Sequence, residues 1–329
     1  QNFEVAATYR DRETQLESEL KVLNDEWVAS DDGRRETVTE ADVANVVSIM
    51  SGIPVQRISE SESCVLKNLG DRLKSVVVAQ DDAIGKIVRS IQRNRLGLKD
   101  PNRPIGVFMF LGSTGVGKTY LAQTLAELMF GTKDALIRID MSEYSEKFNT
   151  SRLVGAPPGY VGYGEGGQLT EKVRRHPYSI VLLDEVEKAH GDVFNLLLQV
   201  LDEGRMTDGN GRMVDFRNTI IIMTSNTGTR QLVDFGNGIG FNAALLDNSS
   251  EKAKEYARSV IQKSLAHQFA PEFLNRLDEI ITFDQLDNTA IRKIVDIELS
   301  RLFKRINDMG YAVEISDEAK TLLANKGYS

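Results

Sequence analysis

Apolar residues fall into two rhythms along this chain. In the first hundred positions they recur at helical spacing. Leu16, Leu20, Leu23 and Trp27 stand at i, i+4, i+7 and i+11, one face of a helix. That stripe needs a partner, either its own domain or a docking surface. Asp31–Arg35 reads as a polar loop, and a second helix starts near Thr39. There Thr39 and Asp42 resemble a capping box, and Val43, Val46, Val47 and Met50 line one face. Gly52-Ile53-Pro54 ends that helix, because Pro54 has no N–H and restricts Ile53. Residues from about 70 to 95 are again helical in pattern.

From Pro104 the rhythm changes. Val107–Leu111 is a continuous apolar run, as expected of a strand buried on both faces. Similar runs follow at 136–139, 180–183, 219–223 and 279–283, most of them separated by helical patterns such as Tyr120–Phe130 and Val193–Leu201. Strands alternating with helices predict an α/β fold with a parallel sheet flanked by helices. Residues from about 285 onward carry no further strand run and read as a small helical domain.

Composition narrows the class. The 329 residues allow about two domains. There are 40 Lys and Arg against 48 Asp and Glu, a formal charge of −8, which argues against bulk nucleic-acid binding. Cys64 is the single cysteine, so no intrachain disulfide forms, which fits the cytoplasm or an equivalent reducing compartment. His176, His190 and His267 are scattered without metal-ligand spacing. No apolar run reaches the roughly 18 residues of a membrane span. The start, Gln1-Asn2-Phe3-Glu4, reads as a boundary inside a longer protein rather than a signal peptide.

The chemistry begins at residue 112. Gly112-Ser113-Thr114-Gly115-Val116-Gly117-Lys118-Thr119 fits G-x-x-x-x-G-K-[ST] between a strand and a helix. Glycines let backbone N–H groups wrap phosphates, and the helix start presents its positive end to the same anion. Gly112, Thr114, Gly115, Val116, Gly117, Lys118, Thr119 and Tyr120 are therefore the expected nucleotide contacts. Lys118 reaches the β- and γ-phosphates, and the Thr119 hydroxyl ligates Mg²⁺. The run 180–183 then delivers Asp184 and Glu185 at a strand end. Asp184 is expected to hold Mg²⁺, and Glu185 to orient and deprotonate the attacking water. Four apolar residues followed by Asp-Glu is a weak motif alone; after a phosphate loop, in this order, it is strong.

From Gly112 to Phe273-Leu274-Asn275-Arg276 the sequence resembles the AAA+ ATPases, and more narrowly the second ATPase module of the two-ring Clp unfoldases. Gly97–Pro101, Ile139–Tyr144, Gly159–Tyr163, Glu187–His190 and Val214–Asn218 carry the resemblance, which covers about residues 36 to 329. The resemblance implies roles that spacing does not show. Asn226 matches sensor 1, which helps position the water. Arg276 matches an arginine finger acting on ATP held by a neighbouring subunit, which implies a homohexameric ring. Val77 and Val78 match the segment packed on adenine, with a plain core role as the alternative. Tyr160 and Val161, within Gly159-Tyr160-Val161-Gly162, match the axial pore loop, where a ring flanked by glycines grips an extended polypeptide. Thr207–Arg212 matches a second pore loop. Ile239, Gly240 and Phe241 resemble the loop by which Clp ATPases of the ClpC type dock on the ClpP peptidase.

The implied function is ATP-driven unfolding and threading of protein substrates, delivered to a ClpP-type peptidase, with adaptor proteins as further partners and neither nucleic acid nor membrane among them. The alternative is a ClpB-type disaggregase that works without protease. A P-loop kinase and a non-catalytic scaffold are rivals of other classes, opposed by Tyr160 with Arg276 and by the intact Lys118, Asp184, Glu185 and Asn226. Residues 1–35 resemble the end of a middle domain, 36–70 a linker, 71–283 the large ATPase domain, and 284–329 a helical lid that stops before sensor 2. Ser113, Tyr120, Ala79 and Gly191 depart from the usual proline, acid, glycine and proline.

Overall fold

A computed structural model of the chain describes residues 3–31, 38–51, 62–155, 166–227, 263–311, 313 and 315–326. Five strands form one parallel sheet: β1 (Gly106–Leu111), β2 (Leu136–Asp140), β3 (Ile180–Asp184), β6 (Ile220–Ser225) and β7 (Glu279–Thr282). Their spatial order is β2-β3-β6-β1-β7. Every pairing in it is parallel. The apolar runs follow from this arrangement. Val107, Met109 and Leu111 enter one core cluster, whereas Phe108 and Phe110 enter the other. Val181 and Leu183 part from Ile180 and Leu182 in the same way. Side chains alternate along a strand, so a sheet covered on both faces needs apolar residues at every position.

The second cluster is closed by α3 (Glu62–Val76), α4 (Asp81–Arg93) and α5 (Lys118–Phe130). The first is closed by α7 (Gln168–Arg175), α8 (Gly191–Glu203) and the turn α9 (Pro271–Leu274). A five-residue helix, α6 (Thr150–Val154), precedes α7. At the edge of the second cluster, Lys99 and Asp278 form an ion pair at 2.5 Å, both nearly buried. Asp278 also accepts the backbone N–H of Val107 at 2.8 Å. This carboxylate therefore aligns the start of β7 with that of β1.

Two features differ from the sequence expectation. The helical pattern from about 70 to 95 is two helices, broken over 77–80. Ala79 sits there at φ 60°, a left-handed conformation that turns the chain. Gln80, buried, faces the other way and bonds the Asp284 main chain, donating at 3.0 Å and accepting at 3.2 Å. The second is a two-stranded antiparallel hairpin of β4 (Arg205–Thr207) and β5 (Met213–Asp215). Its turn is the segment read as a second pore loop, and the Asp208 carboxylate accepts the N–H groups of Asn210 and Arg212 at 2.9 and 2.7 Å.

The Ala79 conformation yields a stability prediction. A β-carbon in the left-handed region costs roughly 1–2 kcal/mol, partly offset because glycine has more freedom to lose on folding. Ala79→Gly should therefore stabilise the domain by about 0.5–1 kcal/mol. Urea unfolding would show it as a raised midpoint, and a lowered midpoint would contradict the strain.

Beyond the sheet, α10 (Asn288–Asp308) and α11 (Asp317–Lys326) pair as a helical hairpin. The pair is joined by Lys320 to Asp296 at 2.9 Å. Asp287 caps α10 by accepting the Ala290 N–H at 2.7 Å. The chain divides into units 1–47 and 48–329. In the first, α1 (Phe3–Asp31) leaves Leu16, Leu20 and Leu23 of the predicted stripe exposed. The capping box is present before α2 (Glu40–Ser51): the Thr39 N–H donates to Asp42 at 2.8 Å, and the Asp42 N–H donates back to the Thr39 hydroxyl at 3.4 Å. No helix among the described residues is long and apolar enough to cross a membrane.

Candidate nucleotide site

Three adjacent strands bring the predicted residues together. In the order β3-β6-β1, the carboxyl ends carry Asp184 and Glu185, then Asn226, then the phosphate loop. Open α/β sheets bind ligands at such ends. The loop geometry has local causes. Gly117 adopts φ 99° directly before α5, a left-handed value that a side chain would strain. A β-carbon on Gly112 would stand 3.0 Å from that of Phe283, so the strand end and the exit of β7 close together only over glycine.

Lys118 begins α5 and is buried. Its ammonium donates to the Gly112 carbonyl at 2.5 Å, the Ser113 carbonyl at 3.0 Å and the Asn226 side-chain oxygen at 2.8 Å. Burial pulls its pKa below the ordinary lysine value, opposed by the nearby carboxylates Glu187, Asp184 and Glu185. A cation held by its own loop's carbonyls is ready to exchange them for phosphate oxygens. Thr119, half-buried, occupies the first turn of the same helix. Asn226 is thereby placed beside the phosphate-loop lysine, and its N–H donates to Glu187 at 3.1 Å.

Asp184 is nearly buried and accepts the guanidinium of Arg138, on the neighbouring β2, at 2.6 and 3.1 Å. Its other oxygen accepts the Thr224 hydroxyl. Glu185 has φ 55°, a strained value for a residue with a side chain. Its N–H donates to the Thr224 hydroxyl at 3.1 Å, and its carboxylate meets Lys188 at 2.5 Å. That bond raises the Lys188 pKa. Strain of about 1–3 kcal/mol at such a position is typical of functional sites. Among the described residues no cluster of three or more His, Cys, Asp or Glu could hold a metal. Thr119 and Asp184 suit a magnesium ion that arrives with phosphates and keeps water in its shell.

Beside the loop lies a cavity of about 200 Å³ lined by Val76, Val77, Val78, Gly115, Val116, Gly117 and Tyr120 on one side. Leu286, Ile294, Ile297 and Glu298, on and just before helix α10, line the other. Mostly apolar walls with few polar groups suit a base. Val77 belongs to the core as well as to this wall. Arg301 of α10 donates to the Tyr120 hydroxyl at 2.7 Å and holds Glu298 at 2.7 Å.

Arg276 is not part of this cluster. Its carbonyl accepts the side chain of Arg103, three residues before β1, which places it by the amino-terminal end of the sheet. Gly112 follows the other end of β1, six strand residues or on the order of 20 Å further on, beyond the reach of one side chain. Arg276 is half-exposed and pairs with Asp202 at 2.7 Å. Tyr160, Val161, Ile239, Gly240 and Phe241 lie outside the described residues. Sequence reasoning missed Arg138, Lys188, Thr224 and the residues of α10. The one available signal was Arg138, a cation inside an apolar strand run.

A family model described as AAA domain (Cdc48 subfamily) matches residues 103–280. Another, described as the C-terminal, D2-small domain of ClpB protein, matches residues 286–329. The chain is 50% identical over 328 residues to the ATP-dependent Clp protease ATP-binding subunit ClpC of Staphylococcus aureus (strain USA300), covering 100% of this chain and 40% of the relative. The ClpC subunit of Staphylococcus epidermidis (strain ATCC 12228 / FDA PCI 1200) matches to the same extent. The chain thus spans about two fifths of the length of the curated relatives it matches.

Proposed function

Because the chain belongs to the AAA+ ATPases, as a second ATPase module of the Clp type, we propose that it hydrolyses ATP to thread protein substrates through a ring of its own copies. The observation that carries this reading is the convergence of Lys118, Asp184, Glu185 and Asn226 at three adjacent strand ends. The phosphate loop and Lys118 bind the triphosphate, and the cavity between Val77 and Val78 on one wall and Ile294 on the other takes the adenine. Glu185 takes a proton from a water whose oxygen bonds the γ-phosphorus as the bond to the ADP oxygen breaks. Asn226 orients that water. Thr119 and Asp184 would hold magnesium, which when bound would neutralise phosphate charge.

Arg276 acts on the neighbour's nucleotide, since its own phosphate loop lies at the other end of the sheet. Tyr160 and Val161 grip the polypeptide in the pore, with the hairpin turn at 207–212 as a second contact. The parent is read as a ClpC-type unfoldase with residues 1–35 ending a middle domain, 36–70 linking it, 71–283 catalysing and 284–329 forming the lid. A reducing compartment such as the cytoplasm suits its single cysteine.

Ile239, Gly240 and Phe241 decide between a protease partner and the disaggregase alternative. Two apolar anchors on a glycine-bearing loop suit small hydrophobic pockets. Deleting the three residues from the full-length parent should abolish degradation of an unfolded substrate by a ClpP-type peptidase and leave ATP turnover intact. Undiminished degradation would remove the loop from docking. A parent that unfolds protein but never supports degradation would favour the disaggregase.

A further inference from the structure

Helix α8 runs from one functional group to another. It begins one short turn after Glu185, where His190 caps it by accepting the Asp192 N–H on Nδ1 at 3.2 Å. It ends beside Arg276, thirteen residues later, over about 20 Å. Val193, Leu197, Val200 and Leu201 fix its inner face in the core. Three contacts tie the helix to the segment bearing Arg276. Phe194 packs edge-on against Phe273, ring centres 5.2 Å apart, three residues before the arginine. Asp202 pairs with the Arg276 side chain at 2.7 Å. Arg103 donates to the Leu201 carbonyl at 2.9 Å and the Arg276 carbonyl at 2.8 Å, stitching the helix end to the finger's own backbone.

We propose that Asp202 is a positioning residue that aims Arg276 at the neighbouring subunit's nucleotide, with α8 and Arg103 as its rigid mount. The proposal rests on the reading of Arg276 as an arginine finger. An arginine with several rotatable bonds meets a transition state only if its fork is presented in one direction, and a displacement of about 1 Å costs on the order of 100-fold in rate. Both side chains are partly exposed, but the Arg276 Nε that meets Asp202 is buried, so the pair also contributes to folding and the rate is to be read in fully folded rings.

The test uses the assembled full-length ring. Asp202→Ala should lower kcat for ATP by between about 10- and 100-fold, with KM for ATP unchanged, at a temperature well below the unfolding midpoint of either ring. Asp202→Glu should recover part of the loss, and Asp202→Ala should add nothing in an Arg276→Ala background. Unchanged or raised kcat for Asp202→Ala, in a ring that Arg276→Ala inactivates, would overturn the positioning role and leave the finger standing. An additive loss in the Arg276→Ala background would overturn it as well. A fully active Arg276→Ala ring would overturn the finger, and the proposal with it.

Discussion

Arg276→Ala is expected to lower ATP turnover of the assembled ring by about 10³–10⁵-fold while nucleotide binding persists. The loss is large because a guanidinium stabilises charge that develops on the transferring phosphoryl group only in the transition state. The position of Arg276 makes a sharper version available. Arg276 and Gly112 stand at opposite ends of β1, on the order of 20 Å apart, so the arginine completes a site only between two copies. Mixing Arg276→Ala subunits with Glu185→Gln subunits should therefore restore turnover, because some interfaces then pair an intact Glu185 with an intact Arg276. Phosphate release from mixed rings reads this directly. Two inactive variants that stay inactive at every mixing ratio would place the arginine's action within its own subunit, against that placement.

Glu185→Gln is expected to keep ATP bound and reduce hydrolysis by about 10²–10⁴-fold, the range that general-base catalysis supplies. The amide preserves size and the left-handed backbone at φ 55°, so the phosphate loop is left undisturbed. What it loses is the proton acceptor. It also loses the anionic partner of Lys188, whose pKa, now raised by that bond, should return toward the ordinary lysine value. Binding of a fluorescent ATP analogue together with phosphate release separates the two effects. Hydrolysis at the parent rate would remove Glu185 from the chemistry.

What could be read from the sequence was whatever physics makes local. The five sheet strands announce themselves because burial on both faces forces continuous apolar runs such as Val107–Leu111. The phosphate loop is legible because glycine conformations and a helix start must be contiguous. The hairpin at 205–215 escaped because its strands are three residues long, too short for a period to register. The break at 77–80 left one trace, that Ala79 stands where the resemblance has glycine, but alanine itself does not signal a left-handed turn. The bond from Gln80 to Asp284, 204 positions away, is invisible to local pattern. The far wall of the nucleotide cavity, with Ile294, Ile297 and Glu298, also depends on a long-range contact that no spacing within α10 reveals. Arg138 on Asp184 and Asp202 on Arg276 are cross-element pairs of the same kind.

The most direct measurement is ATP-dependent unfolding of a stably folded, tagged fluorescent protein by the full-length ring, followed as loss of fluorescence alongside phosphate release. Fluorescence should fall with ATP, hold with a non-hydrolysable analogue, and hold with ATP when Glu185 is replaced by glutamine. Phosphate release without any loss of fluorescence, or fluorescence lost equally without hydrolysis, would contradict ATP-driven unfolding.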